Sequence, residues 1–189
     1  MKVEKTNIDG VLLINSPKFS DNRGYFFEFY NKEAYLQHGI DLNFVQDNVS
    51  LSKPGVVRGL HGQANPNQVK IVRCLAGAIY DVALDIRPNS KTFMQYLGFE
   101  LSAENNCTLV IPHGCLHGFS VIGSRDACVM YKVSGCYNKA GEYGINPLSA
   151  GIDWKISDDM IISQRDTGGE DLENFLQSSR FLNEICNTF

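Results

Sequence analysis

An arginine, a histidine and a lysine lie close together in the stretch VVRGLHGQANPNQVKIVR, which runs from Val56 to Arg73. Histidine titrates nearest neutrality of all side chains, so His61 is suited to taking or giving a proton. Arg58 and Lys70 can hold a phosphate, or an oxyanion that develops beside it. β-Branched residues bound the stretch and read as strand, with AsnProAsn at 65–67 as the turn between its halves. An Arg-x-x-His spacing is common among surface and core histidines, so the stretch gains weight only from what accompanies it. In an ideal strand Arg58 and His61 point to opposite faces. One pocket can hold both only where the strand bends or bulges, and Gly59 is suited to that.

Other polar residues fall on shared faces. Between Phe44 and Ser52 the alternation puts Phe44, Gln46, Asn48 and Ser50 together. Two amides on one face can read the donor and acceptor edge of a heterocycle, although such alternation also marks a solvated strand. In AIYDVALDIRP, Tyr80, Val82, Leu84 and Ile86 form an apolar face, and Asp81, Ala83 and Asp85 form the other. Those carboxylates line either a cavity or a wet sheet face. The six cysteines include no CxxC pair, which argues against a zinc knuckle or a dithiol redox motif. Cys115 lies between His113 and His117, but a structural thiol is expected there until a base is shown to reach it.

The elements that must position these groups are mostly short strands. Strands are predicted at Val11–Ile14, Tyr25–Tyr30, Tyr96–Leu101, Cys107–Ile111, Gly118–Ile122 and Ala127–Val133, besides those already named. NKEAYLQHG is predicted as one short helix, capped by Asn31 and stopped at Gly39. Leu172, Phe175, Leu176 and Leu182 recur at helical spacing and predict a packed C-terminal helical segment at about 170–186. Many short strands with little helix imply an all-β sandwich or jelly roll, and 189 residues with 43% hydrophobic content suffice for one core, so residues 1–189 are expected to form a single domain. A net charge of −4 and a pI near 5.5, without basic runs, argue against nucleic acid or acidic membranes as partners. No apolar segment is long enough to span a bilayer, and MKVEKTNIDG lacks the apolar region of a secretory signal, so a soluble, cytoplasmic protein is expected.

An ordered set of motifs carries a resemblance. DNRGYFFE, VQDNVSLS, VVRGLH, QVKIVRCLAGAIYDVALDIR, FELSAENN, IPHGCLHGFSV, the tyrosines Tyr131 and Tyr137, GIDW and ISQRD run from about Asp21 to Asp166. In that order they resemble the dTDP-4-dehydrorhamnose 3,5-epimerases and related nucleotide-sugar epimerases of the cupin superfamily. The resemblance implies a cupin-type jelly-roll barrel with short peripheral helices, a homodimer, a site in the barrel mouth and no cofactor. It implies a catalytic base at His61, oriented by Asp166, with Lys70 and His117 lining the sugar site and Tyr131 as proton donor. Tyr137 lies beside the ring, Arg58 contacts the pyrophosphate, and Arg165 of the closing motif adds to substrate binding. Arg23, Phe26, Glu28, Gln46 and Asn48 match the nucleotide-gripping set, which comes largely from the neighbouring subunit. The implied substrate is a dTDP- or GDP-linked sugar.

The chemistry accounts for these residue types. A 4-keto group acidifies the C3 and C5 hydrogens, so a base can remove one and leave an enolate if its oxygen meets a donor or cation. Returning the proton from the opposite face inverts the carbon, so the resemblance implies inversion at C3, C5 or both of a nucleotide-linked 4-keto-6-deoxy sugar. A metal site is not expected: after His61 the HxH pair and downstream glutamate of metal cupins are absent. Four departures from the family pattern stand out: Gly62 where a tyrosine is usual, GlyCysTyr at 135–137, the segment GEYGINPLSAGIDW, and Lys155 after the tryptophan. Gly62 is expected to leave extra room at the pocket wall. Two other functions fit the same motifs: a sugar ketoisomerase that gives the enolate a different fate, and a non-catalytic sugar-nucleotide-binding cupin.

Overall fold

The computed structural model of the protein describes residues 1–156 and 159–186. Among the described residues, fourteen strands occur in chain order: β1 (Lys2–Lys5), β2 (Leu12–Asn15), β3 (Lys18–Asp21), β4 (Gly24–Phe27), β5 (Gln46–Ser52), β6 (Val56–Gln63), β7 (Lys70–Ala76), β8 (Ala78–Asp85), β9 (Tyr96–Ser102), β10 (Cys107–Ile111), β11 (Cys115–Ile122), β12 (Ala127–Val133), β13 (Glu142–Gly144) and β14 (Ile161–Ile162). Also among the described residues are the short α-helices α1 (Lys32–Gln37), α2 (Gln164–Thr167) and α3 (Leu172–Gln177), and a wide helical turn at Phe181–Ile185. One antiparallel sheet runs β1-β2-β10-β7-β12-β5 and a second runs β13-β6-β11-β8-β9, with β14 pairing parallel to β6; β3 and β4 form a separate hairpin. This is the all-β jelly roll expected from the strand pattern and the cupin-type barrel that the resemblance implies.

Period-2 alternation builds three apolar layers from these two sheets. Val72, Cys74, Ile79, Ala83, Leu109 and Val129, contributed by both sheets, pack into one core. The opposite face of the second sheet buries Val57, Leu60, Val82, Leu84 and Leu116 under Trp154, Phe175, Phe181 and Ile185. The outer face of the first sheet buries Ile14, Ile71 and Val110 under Tyr35 and Ile40. In β8 the split between Ala83 and the pair Val82 and Leu84 follows the two faces read from the sequence.

The helix over NKEAYLQHG forms as α1: the Asn31 side chain accepts from the Ala34 amide at 3.1 Å, and Gly39 ends it at φ +79°. Two expectations need correction. The aromatic strand does not reach Tyr30; it stops at Phe27, because the chain turns there into the Asn31 cap. The C-terminal segment is not one helix. α3 ends at Gln177 and a separate wide helical turn covers Phe181–Ile185, because Ser178 between them is extended (φ −70°, ψ 151°) and its hydroxyl accepts from the Phe181 amide at 3.1 Å; Phe175 and Phe181 each pack on the sheet from their own piece.

The demand made by Arg58 and His61 is met inside β6. Against β11 the register pairs His117 with His61 but Phe119 with Arg58, so an extra β6 residue is accommodated between them. Gly59 takes φ +116° at this bulge, and a Cβ there would lie 2.6 Å from the Gly118 Cα. Arg58 and His61 therefore line one cavity. We expect Gly59→Ala to destabilise the fold by roughly 2–4 kcal/mol, the combined cost of a strained φ and a backbone clash. Chemical denaturation measures it; a change under about 0.5 kcal/mol would mean that the bulge is not held there.

Candidate active site

A cavity of about 520 Å³ opens between the sheets, lined by Arg58, His61, Lys70, His117, Tyr131, Glu142, Arg165 and Asp166 among others. A neighbouring cavity of about 330 Å³ shares His61, Lys70, Tyr131 and Glu142 with it and adds Gln46, Asn48 and Tyr137. The two together have room for a sugar and an extended substituent.

His61 stands on β6, with its side chain about one-third exposed (31%). Its Nε2 lies 2.7 Å from Oδ1 of Asp166, 105 positions away in the chain. The local route explains the contact. β14 lies parallel to β6 beside Val56 and Val57 and delivers the chain to α2, whose cap Ser163 accepts from the Asp166 amide at 3.1 Å. Burial works to raise the Asp166 carboxyl, but hydrogen bonds from His61 and Ser163 outweigh it and hold the carboxyl below its usual range. Asp166 is thus a carboxylate at neutral pH, able to fix one imidazole tautomer.

Lys70 opens β7, and its Nζ donates to the His61 carbonyl at 3.3 Å. Burial pushes its ammonium down to about 8, against the opposing pull of Asp81 and Glu142. On β11, His117 sits across from His61 in register and contacts Asp81 Oδ1 at 2.7 Å through its own Nε2. Both members of this second pair are buried, and burial lowers the His117 pKa. Tyr131 on β12 reaches the same cavity as His61, and burial raises its hydroxyl pKa, only partly offset by Arg58, so it stays protonated and able to donate.

At the mouth, Arg58 donates through Nε to Ser52 Oγ at 2.8 Å. Glu142 Oε2 accepts from the Tyr137 hydroxyl at 2.9 Å and pairs with the Arg165 guanidinium at 2.6 Å. The Tyr137 amide donates to Gln46 at 3.0 Å, and Gln46 in turn donates to Asn48 at 2.9 Å, so the two amides read from the sequence are joined to this tyrosine.

Three of the expected binding residues are not brought to the cavity by a single chain. Arg23, Phe26 and Glu28 belong to the β3–β4 hairpin and its exit, where Arg23 pairs with Asp21 at 2.6 Å and Glu28 accepts from Asn31 at 3.1 Å. Phe26 is 69% exposed, opposite the equally bare Phe19. Gly62 also departs from expectation. A Cβ at this position would lie 2.5 Å from Cζ of Tyr143, so the expected extra room is already filled by a ring from the paired strand.

Sequence reasoning missed two groups. Asp81 was on the singled-out polar face of β8, and its wholly buried carboxylate now has His117 as its partner. Glu142 had no signal, because β13 is three residues long and shows no periodicity. Cys115 is core: burial pushes its thiol up to about 12, too high for a nucleophile. His113 lines neither cavity. Among the described residues no group of three or more His, Cys, Asp or Glu side chains is arranged to hold a metal ion, and no helix is long and apolar enough to cross a membrane.

A model of the dTDP-4-dehydrorhamnose 3,5-epimerase family matches residues 5–174. The dTDP-4-dehydrorhamnose 3,5-epimerase of Methanothermobacter thermautotrophicus is 42% identical over 166 residues, covering 86% of this chain and 89% of that protein. That of Escherichia coli K12 is 43% identical over 171 residues, covering 88% and 91%. Among solved structures, dTDP-6-deoxy-D-glucose-3,5-epimerase RmlC from Legionella pneumophila, in complex with dTDP-4-keto-L-rhamnose, superposes with a TM-score of 0.87 at 39% identity, covering 91% of this chain and 93% of that one. With the barrel and the His61–Asp166 cavity already described, a match of this extent makes the chain a member of the dTDP-4-dehydrorhamnose 3,5-epimerase family, and an isomerase.

Proposed function

We propose that this enzyme inverts C3 and C5 of a dTDP-linked 4-keto-6-deoxyhexose without a cofactor. The carrying observation is the 2.7 Å contact between His61 and Asp166 on the wall of a cavity that Lys70 and Tyr131 also line. Asp166 engages Nε2, so Nδ1 is the basic nitrogen that takes the proton alpha to the ketone. The Lys70 ammonium stabilises the enolate oxygen, and the buried Tyr131 phenol returns a proton to the opposite face. No electron pair leaves the sugar, so a hydride acceptor is unnecessary. Removal and return of one proton at each carbon balance the reaction.

Binding divides along the two connected cavities. Arg58 and Arg165 suit the pyrophosphate, His117 and Glu142 the sugar hydroxyls, and Tyr137 with Gln46 and Asn48 the base. The protein acts as a homodimer in this reading. The exposed hairpin of a second copy supplies Arg23, Phe26 and Glu28, which stay away from the cavity within one chain; the bare Phe19 and Phe26 rings support this. We expect Arg23→Ala to raise KM about tenfold with little change in kcat, as for one lost charge-assisted hydrogen bond. Monomers in sedimentation with undiminished activity would rule out the shared site.

The direct measurement is deuterium uptake from solvent at C3 and C5 of dTDP-4-keto-6-deoxyglucose. His61→Ala should reduce uptake about 10²- to 10⁴-fold, the range for a lost general base. Tyr131→Phe should keep exchange on the base side but lose inversion. A moved carbonyl in the product would assign a ketoisomerase instead, and binding without uptake a non-catalytic protein. Activity has a further pH signature. Lys70 is charged below its pKa of about 8 and neutral above it, so kcat should fall as pH rises through about 8. In Lys70→Arg the charge persists to far higher pH and this alkaline limb should disappear; a limb left in place would assign it to another group.

A further inference from the structure

We infer that Tyr143 is a positioning residue for the epimerase site, a conclusion that rests on the reading of the cavity given above. Its ring is seated in the notch left by Gly62 and sets the register of β13. That strand is three residues long and lies at the edge of its sheet, pairing Glu142 with Gln63, Tyr143 with Gly62 and Gly144 with His61. So few backbone pairs hold register weakly, and a slip of one residue would exchange the two faces. Glu142 would then leave the cavity and the tyrosine would enter it.

Three observations oppose that slip. The Tyr143 ring occupies the space of a side chain at 62, an aromatic covering a cross-strand glycine, and is itself only 3% exposed. Behind it, Phe175 of α3 stacks at 5.7 Å with an interplanar angle of 19°, and Phe181 closes edge-on against Phe175 at 5.8 Å. Arg180 donates to the Glu142 carbonyl at 2.9 Å. The C-terminal segment thus grips β13 from outside the barrel.

The consequence inside falls on both neighbours of Tyr143. Glu142 projects to the cavity, where it holds Tyr137 and Arg165. Gly144 runs directly beside the base: a Cβ there would lie 2.9 Å from His61 Cδ2 and 2.8 Å from the Leu60 carbonyl. Only the register that seats the tyrosine over Gly62 puts the carboxylate at the sugar and the glycine at the imidazole.

The test is a cycle of Tyr143→Ala, Glu142→Gln and their double variant, with Tyr143→Phe as the conservative control and Tyr143→Leu in reserve should the alanine variant not fold. Each is assayed for KM and kcat with the keto sugar, and for hydrogen exchange of the Ala64 and Ile145 amides. Those two amides bond Gly141 at 2.9 Å and Leu60 at 3.1 Å at either end of β13. We expect Tyr143→Ala to raise KM about tenfold, with the double variant no worse than Glu142→Gln alone, because both remove one interaction. Tyr143→Phe should recover wild-type KM and protection. Wild-type KM in the alanine or leucine variant, an additive cycle, or unchanged protection at both amides would overturn the assignment. If the wild-type enzyme takes up no deuterium, the reading of the reaction fails separately, and the amide protection alone decides the role of Tyr143.

Discussion

The close crossing of β6 over β11 is the constraint on which the site depends. Gly59 and Gly118 meet there without side chains: a Cβ on the first would strike the Gly118 Cα, and one on the second would lie 2.7 Å from the Arg58 carbonyl. Only such an approach lets one strand carry an extra residue while its neighbour stays straight. The extra residue turns Arg58 and His61 to one side, and Val57 and Leu60 remain in the outer layer. A small irregularity in backbone pairing thereby sorts cations and an imidazole into the cavity and apolar groups into the core.

Polar groups inside the cavity are arranged in pairs. His61 with Asp166 and His117 with Asp81 place two carboxylates behind two imidazoles, so each ring is held in a defined tautomer. Lys70 lies near both systems, poised close to neutrality by burial. A charge that is costly to keep in a dry pocket is most effective when an anion develops beside it, as in the enolate of the proposed reaction. The buried phenol of Tyr131, kept protonated by that burial, faces the same cavity.

The β3–β4 hairpin is held differently, since it shares no backbone ladder with either main sheet. Arg73, nearly fully buried, lays its guanidinium 3.9 Å from the Phe27 ring centroid and donates to the Asn106 carbonyl at 3.0 Å, with Asn106 in turn bonding the Ser16 carbonyl at 2.6 Å. Lys18 adds a bond to the Ala103 carbonyl at 2.9 Å and a cation over Tyr25. Among the described residues, side chains keep this flap in place, leaving Phe19 and Phe26 exposed.

Much was legible in the residues themselves. Alternation in β8, β10 and β12, the Asn31 cap and the Gly39 stop are local, and local geometry follows from side-chain type and spacing; the same alternation placed Gln46 with Asn48 on one face. The need for a bulge at Gly59 was also readable, because a period of two cannot put residues three apart on one side. Distance along the chain hid the rest. Nothing in the sequence near Asp81 names His117 as its partner, nothing in a three-residue strand announces Glu142, and the emptiness of Gly62 looked like space until Tyr143 was seen to fill it. The sequence by itself determined the longer central strands, their faces and the chemical types available; the tertiary structure decided the short edge strands and which of those groups meet, because pairing across a barrel depends on register between segments far apart in the chain, and register is a property of the packed sheets rather than of any one of them.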